Sequence, residues 1–208
     1  MFNGKFSYCL VDWLAPPTQT SPLLFGDAAV PTLPNVKYLA LLTNPKNPTY
    51  YYVKLNGISV GEKLLNISST VFEIDRVGGA GTIFDSGTTV TQLAKVAYTE
   101  VLMAMNASTM SYPRKVDDTS GLDLCIGGFA KGALPTLPSM TFHFDGADML
   151  LPPSNYFIFL ESSQSYCFSM VPSPDVTIIG SVQQQNFQVY YDTIGRKLGY
   201  VPKSCVGR

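Results

Sequence analysis

Turn-forming residues recur so closely along this chain that only short segments of regular structure fit between them. Seventeen glycines and fifteen prolines alternate with short apolar runs over the 208 residues. Twelve tyrosines and twelve phenylalanines add side chains that favour strands. The sequence therefore predicts a mostly β domain built of many short strands, rather than a helical bundle.

Three strand–turn–strand patterns support this prediction. The aromatic and β-branched range 50–60 is followed by Gly-Glu-Lys and by the apolar range 64–67, which predicts a hairpin. Residues 140–144 alternate apolar and polar side chains and run directly into Asp-Gly, a strong hairpin-turn signal. A strand, a turn and a second strand are also indicated over 188–201.

One segment has helical spacing. We expect Thr91 to be the N-cap of this helix. Five apolar residues then fall on one face at a period of 3.6 residues: Leu93, Ala97, Val101, Ala104 and Met105. The sequence therefore predicts a single clear helix in an otherwise β-rich domain.

Charge and hydropathy exclude two classes of partner. The net charge of −1 provides no long-range field that would attract nucleic acid or an anionic membrane. No apolar run reaches the about 18–20 residues that a membrane-spanning helix needs. With one histidine and no Cys-x-x-Cys pair, we also expect no metal site and no cofactor.

Other features are typical of an exported protein. Glycosylation sequons begin at Asn66 and Asn106. The four cysteines allow two disulfides in an oxidising compartment, in any of three pairings, with four reduced core thiols as the alternative. The first residues contain no apolar signal-peptide core, so we expect no export signal within the chain. These features favour an exported chain that is part of something longer.

The segment 81–89 carries the chemistry of this sequence. It reads Gly-Thr-Ile-Phe-Asp-Ser-Gly-Thr-Thr, an apolar strand that runs to Asp85, breaks at Ser86-Gly87 and continues with two hydroxyl residues. Backbone N–H groups and hydroxyls in such a turn can fix the orientation of a carboxylate. For the tetrapeptide taken alone, ordinary turn chemistry is the alternative interpretation.

In context, the chain resembles the C-terminal lobe of pepsin-like aspartic proteases, and in particular the plant nepenthesin-like branch. Asp85 to Thr89, preceded by two hydrophobic residues, matches the second active-site signature of that family. Ile178-Ile179-Gly180 matches the element that passes behind the catalytic loop. The likeness extends from Phe6 to Cys205 and is also carried by the ranges 6–10, 52–61, 181–192 and 198–202.

The resemblance implies one lobe, over 1–208, of a bilobal acid-protease fold: a β-barrel-like lobe with a few short helices, without its N-terminal lobe. Asp85 would be a catalytic aspartate, and Thr88 would reach across the lobe junction to lock the two active-site loops together. Ser86, Gly87 and Thr89 would shape the loop. The resemblance further implies the disulfides Cys9–Cys205 and Cys125–Cys167, and a location in the apoplast or the vacuole.

This chemistry needs two carboxylates that share one proton. The ionised partner activates a water, while the protonated partner polarises the scissile carbonyl. A lone carboxylate with the ordinary aspartate pKa of about 3.9 could not also donate. Apart from Asp85, no aspartate precedes Ser/Thr-Gly, and the family's Asp-Thr-Gly turn does not occur. The resemblance therefore implies an aspartic endopeptidase, active on polypeptides only with an N-terminal lobe from the same precursor or a separate chain.

Three alternatives stay open. Some plant relatives of this fold inhibit xylanases and have lost the catalytic constellation, although a pure binding protein would not need the intact segment 85–88. The chain could also be an inactive truncated lobe. A homodimer that brings two copies of Asp85 together is less favoured, because the chain is about twice the length of the small viral subunits that do so.

Several other residues suggest chemistry that we do not expect. His143 lies on the polar face of its strand, and no serine sits in a nucleophile-elbow context, so we expect an ordinary exposed histidine. We expect Asp145 and Asp148 to be solvated turn residues rather than calcium ligands. The glycine-rich range 78–81 precedes a strand and not a helix, which argues against a phosphate cradle.

Overall fold

The computed structural model describes residues 2–206, so residues 1, 207 and 208 of the expected lobe lie outside it. Two α-helices occur in this range, α1 (Lys95–Ser108) and the short α2 (Ser181–Gln184). Neither is long and apolar enough to cross a membrane. The eighteen strands of the described residues are β1 (Lys5–Cys9), β2 (Leu23–Phe25), β3 (Lys37–Ala40), β4 (Tyr51–Val53), β5 (Leu55–Val60), β6 (Lys63–Leu64), β7 (Gly81–Phe84), β8 (Thr91–Ala94), β9 (Arg114–Lys115), β10 (Cys125–Ile126), β11 (Met140–Phe144), β12 (Ala147–Leu151), β13 (Phe157–Leu160), β14 (Ser165–Phe168), β15 (Met170–Ser173), β16 (Val176–Ile179), β17 (Phe187–Asp192) and β18 (Lys197–Pro202). Single 3-10 turns lie at Gly26–Ala29, Ser69–Phe72 and Pro153–Asn155.

The strands form four sheets. Two have the orders β2-β1-β17-β18-β3 and β13-β14-β10-β9. We call the sheet β12-β11-β5-β6 the hairpin sheet and the sheet β15-β8-β16-β7-β4 the motif sheet. In the motif sheet β16 runs parallel to β7 and β15 runs parallel to β8, whereas the hairpin sheet is antiparallel throughout.

The hairpin sheet follows the alternation of its sequence. Met140, Phe142 and Phe144 are buried, and the residues between them on β11 are half-buried. The turn Asp145-Gly146 joins β11 to β12 in register, with Gly146 at a φ of +89° that favours glycine. This predicted hairpin is confirmed.

The other two predicted patterns also form strand pairs. Over 188–201, β17 and β18 make a continuous antiparallel ladder, as predicted. The hairpin predicted over 50–67 is confirmed only in part. Its first strand is broken in two, because β4 pairs with β7 in the motif sheet and only β5 pairs with the two residues of β6. Strand β6 ends early because Leu65 and Ile67 turn inward and are buried in the core.

Helix α1 begins later than the sequence pattern predicts. Thr91 is not its N-cap, because residues 91–94 form β8 and Ala94 occupies the N-cap position. The Thr91 hydroxyl instead accepts a hydrogen bond from the backbone N–H of Gly180 at 2.9 Å. Pairing of β8 with β15 and this contact hold the segment extended, so tertiary structure overrides the helical period.

The apolar face of α1 is nevertheless the predicted one. Ala97, Val101 and Met105 are fully buried against the main core. Ala104 is half-buried, and Leu93 is buried as a strand residue of β8 rather than as part of the helix. Each fully buried large side chain contributes about 1.5–3 kcal/mol relative to exposure.

Two disulfides cross-link the fold. Cys125 and Cys167 are register partners on β10 and β14. Cys9, at the end of β1, bonds to Cys205 beyond β18, with a Cα–Cα distance of 5.4 Å and a sequence separation of 196. The chain-entropy model gives a loop of this length about 5 kcal/mol of stabilisation. These are the pairs that the resemblance implies.

Candidate active site

Asp85 lies at the tip of a buried strand. All four residues of β7 are buried, between β4 on one side and β16 on the other. The backbone N–H of Asp85 donates to the carbonyl oxygen of Ile179 at 3.1 Å. The side chain itself is half-buried, so its carboxylate stands where the sheet meets the surface.

Each oxygen of the Asp85 carboxylate accepts one hydrogen bond from its own loop. The backbone N–H of Gly87 donates to Oδ1 at 2.9 Å, and the Thr88 hydroxyl donates to Oδ2 at 2.7 Å. A carboxylate has about four lone-pair sites, so these two contacts orient the group and leave sites for a water or a second acid. The loop therefore presents an oriented acceptor rather than a freely rotating one.

Thr88 orients the carboxylate from within the same loop. Its hydroxyl has a single proton, and that proton is donated to Asp85. The lone pairs of the hydroxyl stay available to accept a hydrogen bond, so the contact across a lobe junction that the resemblance implies stays a prediction. Ser86, Gly87 and Thr89 are exposed around Thr88.

The segment Ile178-Ile179-Gly180 passes directly behind the loop. Ile178 pairs with Ile83 and Ile179 with Phe84 in the parallel ladder of β16 and β7. A Cβ added to Gly180 would lie 2.7–2.9 Å from backbone atoms of residues 88–90. Only glycine allows the two backbones to approach this closely.

Helix α2 then ties down the outer half of the loop. The backbone N–H of Ser181 donates to the carbonyl of Thr88 at 2.7 Å, and that of Val182 donates to the carbonyl of Thr89 at 3.0 Å. The first turn of α2 thus supplies donors to the last carbonyls of the loop. Loop and helix are positioned as one unit.

Buried glutamines form a support that sequence reasoning missed. The side chain of Gln183 accepts from the N–H of Thr91 at 3.0 Å and donates to the carbonyls of Asn155 and Ser169. The Gln184 amide donates to the carbonyl of Ile179 at 2.7 Å. The available signal was the run of three consecutive amides at 183–185, which three residues separate from the end of β16.

Two tyrosines lie beneath the loop. The Tyr8 hydroxyl donates to Oε1 of Gln184 and lies 3.0 Å from the hydroxyl of Tyr191. Burial raises the pKa of both phenols well above the usual range, and the nearby charge of Asp85 adds to the effect. Both hydroxyls therefore stay protonated and act as hydrogen-bonding groups.

His143 is not the ordinary exposed histidine that the sequence predicts. It is half-buried, with Nε2 2.7 Å from the Ser59 hydroxyl and Nδ1 2.8 Å from Asp148. This alignment has the order of a Ser-His-Asp triad, but Ser59 is buried at 8% exposure within β5, between β11 and β6. A substrate carbonyl could not reach it, so these contacts tie the strands of the hairpin sheet together. Asp148 is likewise paired rather than simply solvated.

A family model described as "Xylanase inhibitor C-terminal" matches residues 50–202. The matched range runs from just before β4 to the end of β18. It therefore includes the carboxylate loop, the glycine behind it and the glutamine run.

Curated plant proteins are similar over nearly the whole chain. The chain is 38% identical over 206 residues to "Aspartyl protease family protein 2" of Arabidopsis thaliana, covering 98% of this chain and 41% of that protein. It is 35% identical over 205 residues to "Aspartic proteinase nepenthesin-1" of Nepenthes gracilis, covering 97% of this chain and 46% of that protein. The chain thus spans less than half the length of these relatives. The predicted resemblance to nepenthesin-like aspartic proteases is confirmed.

A solved structure described as "Crystal structure of edgp" has a TM-score of 0.80 to this chain. The match covers 97% of this chain and 54% of the other, at 19% sequence identity. At this identity the likeness concerns the fold alone. The predicted mostly β lobe with a few short helices is confirmed.

Proposed function

Because this chain belongs to the xylanase inhibitor C-terminal family, we propose that it is the C-terminal half of an aspartic endopeptidase. The observation that carries the proposal is the Asp85 loop, in which both carboxylate oxygens are oriented by Gly87 and Thr88. The names of its plant relatives agree with this activity. The substrates would be polypeptides.

In this mechanism Asp85 supplies one of two carboxylates. An N-terminal lobe, in the same precursor or in a separate chain, would place its own aspartate against the half-buried face of Asp85. The two groups would then share one proton, so that one activates a water and the other polarises the scissile carbonyl. A carboxylate already oriented by its loop lowers the cost of bringing water and carbonyl together.

A second candidate function is inhibition by binding. The family description itself names xylanase inhibitors, which favours a lobe that binds a glycosidase without hydrolysing anything. Such a role would place no demand on the carboxylate contacts of Gly87 and Thr88. The intact loop therefore favours the endopeptidase.

The decisive experiment pairs the chain with an N-terminal lobe. The 208-residue chain would be refolded alone and together with the N-terminal lobe of the Arabidopsis relative, then assayed on a denatured protein at about pH 3–5. We expect proteolysis only in the paired sample, and its loss in Asp85→Asn. Asp145→Asn is the matched control, because Asp145 is an exposed turn aspartate with no side-chain hydrogen bond in residues 2–206.

Three outcomes would contradict this proposal. Proteolysis by the chain alone, abolished by Asp85→Asn, would indicate that no N-terminal lobe is needed and would favour a homodimer. Absence of activity in every folded sample, together with inhibition of a xylanase, would favour the binding function. Absence of both would indicate an inactive lobe.

We also propose a secreted or vacuolar location. Two disulfides favour an oxidising compartment. Of the two sequons, Asn66 lies exposed in the loop after β6, whereas Asn106 is half-buried in the last turn of α1. We therefore expect a glycan first at Asn66. Expression in a plant secretory pathway should show a mobility shift that Asn66→Gln removes and Asn106→Gln changes less.

A further inference from the structure

We infer that Gln184 and Tyr8 are positioning residues for Asp85, an inference that rests on the proposed function of that carboxylate. Neither side chain is hydrogen-bonded to the carboxylate in the described structure. Gln184 acts through the carbonyl of Ile179, which binds the backbone of Asp85 from behind. Tyr8 acts by holding Gln184 in place, and its hydroxyl also lies beside Ser86 of the loop. We call this chain of buried hydrogen bonds the relay. It runs from β17 and β1 to the tip of β7 through Tyr191, Tyr8, Gln184 and the carbonyl of Ile179.

The carbonyl oxygen of Ile179 joins the relay to the loop. It accepts from the backbone N–H of Asp85 at 3.1 Å and from Nε2 of Gln184 at 2.7 Å. A carbonyl oxygen has two lone pairs, so both are used. Because the two donors share one acceptor, displacement of the Gln184 amide changes the environment of the Asp85 backbone.

Tyr8 holds the other end of the Gln184 amide. Its hydroxyl donates to Oε1 and accepts from the hydroxyl of Tyr191, 3.0 Å away. The direction follows because an amide oxygen can only accept and Tyr8 has one hydroxyl proton. Gln184 is fully buried, and Tyr8 and Tyr191 are 9% and 2% exposed. The ring of Phe6 stacks on Tyr191 with centroids 4.5 Å apart, which keeps the relay dry and in one arrangement.

The relay requires a side chain that donates and accepts at the same time. The neutral amide of Gln184 does so at any pH. A glutamate does so only as the carboxylic acid, because the ionised form has no proton for the Ile179 carbonyl. Gln184→Glu therefore makes the contact depend on pH, and the dependence should be transmitted to residue 85.

The relay contains two ionisable groups, the phenols of Tyr8 and Tyr191. The ionisable groups outside the relay that act on both phenols are Tyr51 and Asp85. The buried phenols Tyr8 and Tyr191 have pKa values raised by burial and keep their protons in acid and at neutral pH. Replacing Asp85 by Asn removes the remaining carboxylate, so that a glutamate introduced at position 184 becomes the new ionising group beside the loop.

The test follows the NMR chemical shift of the residue 85 backbone amide as the pH is changed. The ¹⁵N-labelled chain carries Asp85→Asn in every sample. With Gln184→Glu we expect this signal to shift with one ionisation, above the free-glutamate pKa of about 4.3 because the group is buried. The matched control is Gln188→Glu, since Gln188 is also buried but contacts Ser7 and Lys203 instead. The residue 85 signal of the control should stay constant.

A second variant tests the relay without adding charge. Tyr8→Phe should raise the hydrogen-exchange rate of the residue 85 amide about fivefold to tenfold, the usual effect of one lost hydrogen bond. Tyr200→Phe is its control, because Tyr200 is buried and its hydroxyl has no partner within residues 2–206. In the active paired sample with native Asp85, Gln184→Glu should lower kcat about tenfold on the alkaline side, with little change in KM.

The two proposals can fail separately, because the NMR readout needs no proteolysis. If residue 85 responds to Gln184→Glu and to Tyr8→Phe but no sample is active, the endopeptidase is wrong and the relay stands as a loop support. If the paired enzyme is active but residue 85 responds to neither variant, the positioning inference is wrong. Should Gln184→Glu fail to fold, the exchange rate in Tyr8→Phe decides alone.

Discussion

Two aspartate turns of this chain look alike in sequence and lie in different surroundings. Asp145-Gly146 closes a hairpin at the surface, and within the described residues the Asp145 side chain makes no hydrogen bond. Asp85, followed by Ser-Gly, is held at both carboxylate oxygens and at its backbone N–H. The first turn reverses the chain, whereas the second orients a carboxylate.

The difference lies in where the supporting residues come from. The strands of the hairpin at Asp145 are sequence neighbours, and their alternation suffices to bury one face. The loop at Asp85 depends on Gly180 and on Gln183, the latter 92 positions from its partner Thr91. Buried polar groups need partners, so a loop of this kind is specified by distant residues.

The largest expected effect tests the glutamine support. Gln183→Leu should lower the free energy of unfolding by about 4 kcal/mol, because several buried partners, including the Thr91 N–H, lose their hydrogen bonds. In the hairpin sheet, Ser59→Ala removes one contact, to His143, and should cost about 1 kcal/mol. Urea unfolding of both variants measures the difference in the free energy of unfolding. Equal losses of stability would mean that the Asp85 loop depends on its distant partners no more than the hairpin does.

The glycines of the two regions provide a second test. Gly180→Ala should cost about 3 kcal/mol, because the added Cβ meets backbone atoms of residues 88–90 that cannot rotate away. Gly146→Ala should cost about 1 kcal/mol, since nothing lies within 4 Å of its Cβ position and only the positive φ is unfavourable. Thermal and urea unfolding should rank the two variants in this order. The reverse ranking would mean that the loop relaxes around Gly180.

The smallest expected effect comes from comparing one threonine hydroxyl in each region. Thr88→Val removes the donor to Asp85 Oδ2 and should cost about 1 kcal/mol of stability. Thr141→Val, on the half-buried face of β11, should stay within about 0.5 kcal/mol because its hydroxyl has no bond among residues 2–206. Paired unfolding curves at neutral pH would show the contrast. Indistinguishable curves would indicate that the Thr88 contact is replaced by water.

Local patterns predicted the parts of the fold that local interactions hold together. The alternation at Met140, Phe142 and Phe144 and the turn after it predicted a hairpin that the structure confirms. The same reasoning placed the start of α1 at Thr91 and was wrong there. The Thr91 hydroxyl is bound by Gly180 and the Thr91 N–H by Gln183. Both partners lie about 90 positions away, so the pattern of neighbouring residues could not reveal them.

At the candidate site, the resemblance pointed to Asp85 but not to how its loop is held. The structure adds that the Thr88 hydroxyl donates to Asp85 within the loop, whereas its implied contact across the lobe junction stays a prediction. Gln184 and Tyr8 are 176 positions apart and meet only in the folded chain. His143 was missed for the same reason, since Ser59 reaches it from another strand.

The Cys9–Cys205 bond also determines how this lobe would carry mechanical load. The two Cα atoms are 5.4 Å apart although 196 positions separate them along the chain. Tension applied between these two residues would pass through the covalent sulfur bridge and not through the strands in between. A single-molecule pulling experiment with handles at these points should therefore find almost no extension until the bond is reduced. After reduction, the ladders that β17 makes with β1 and with β18 would bear the force for the first time.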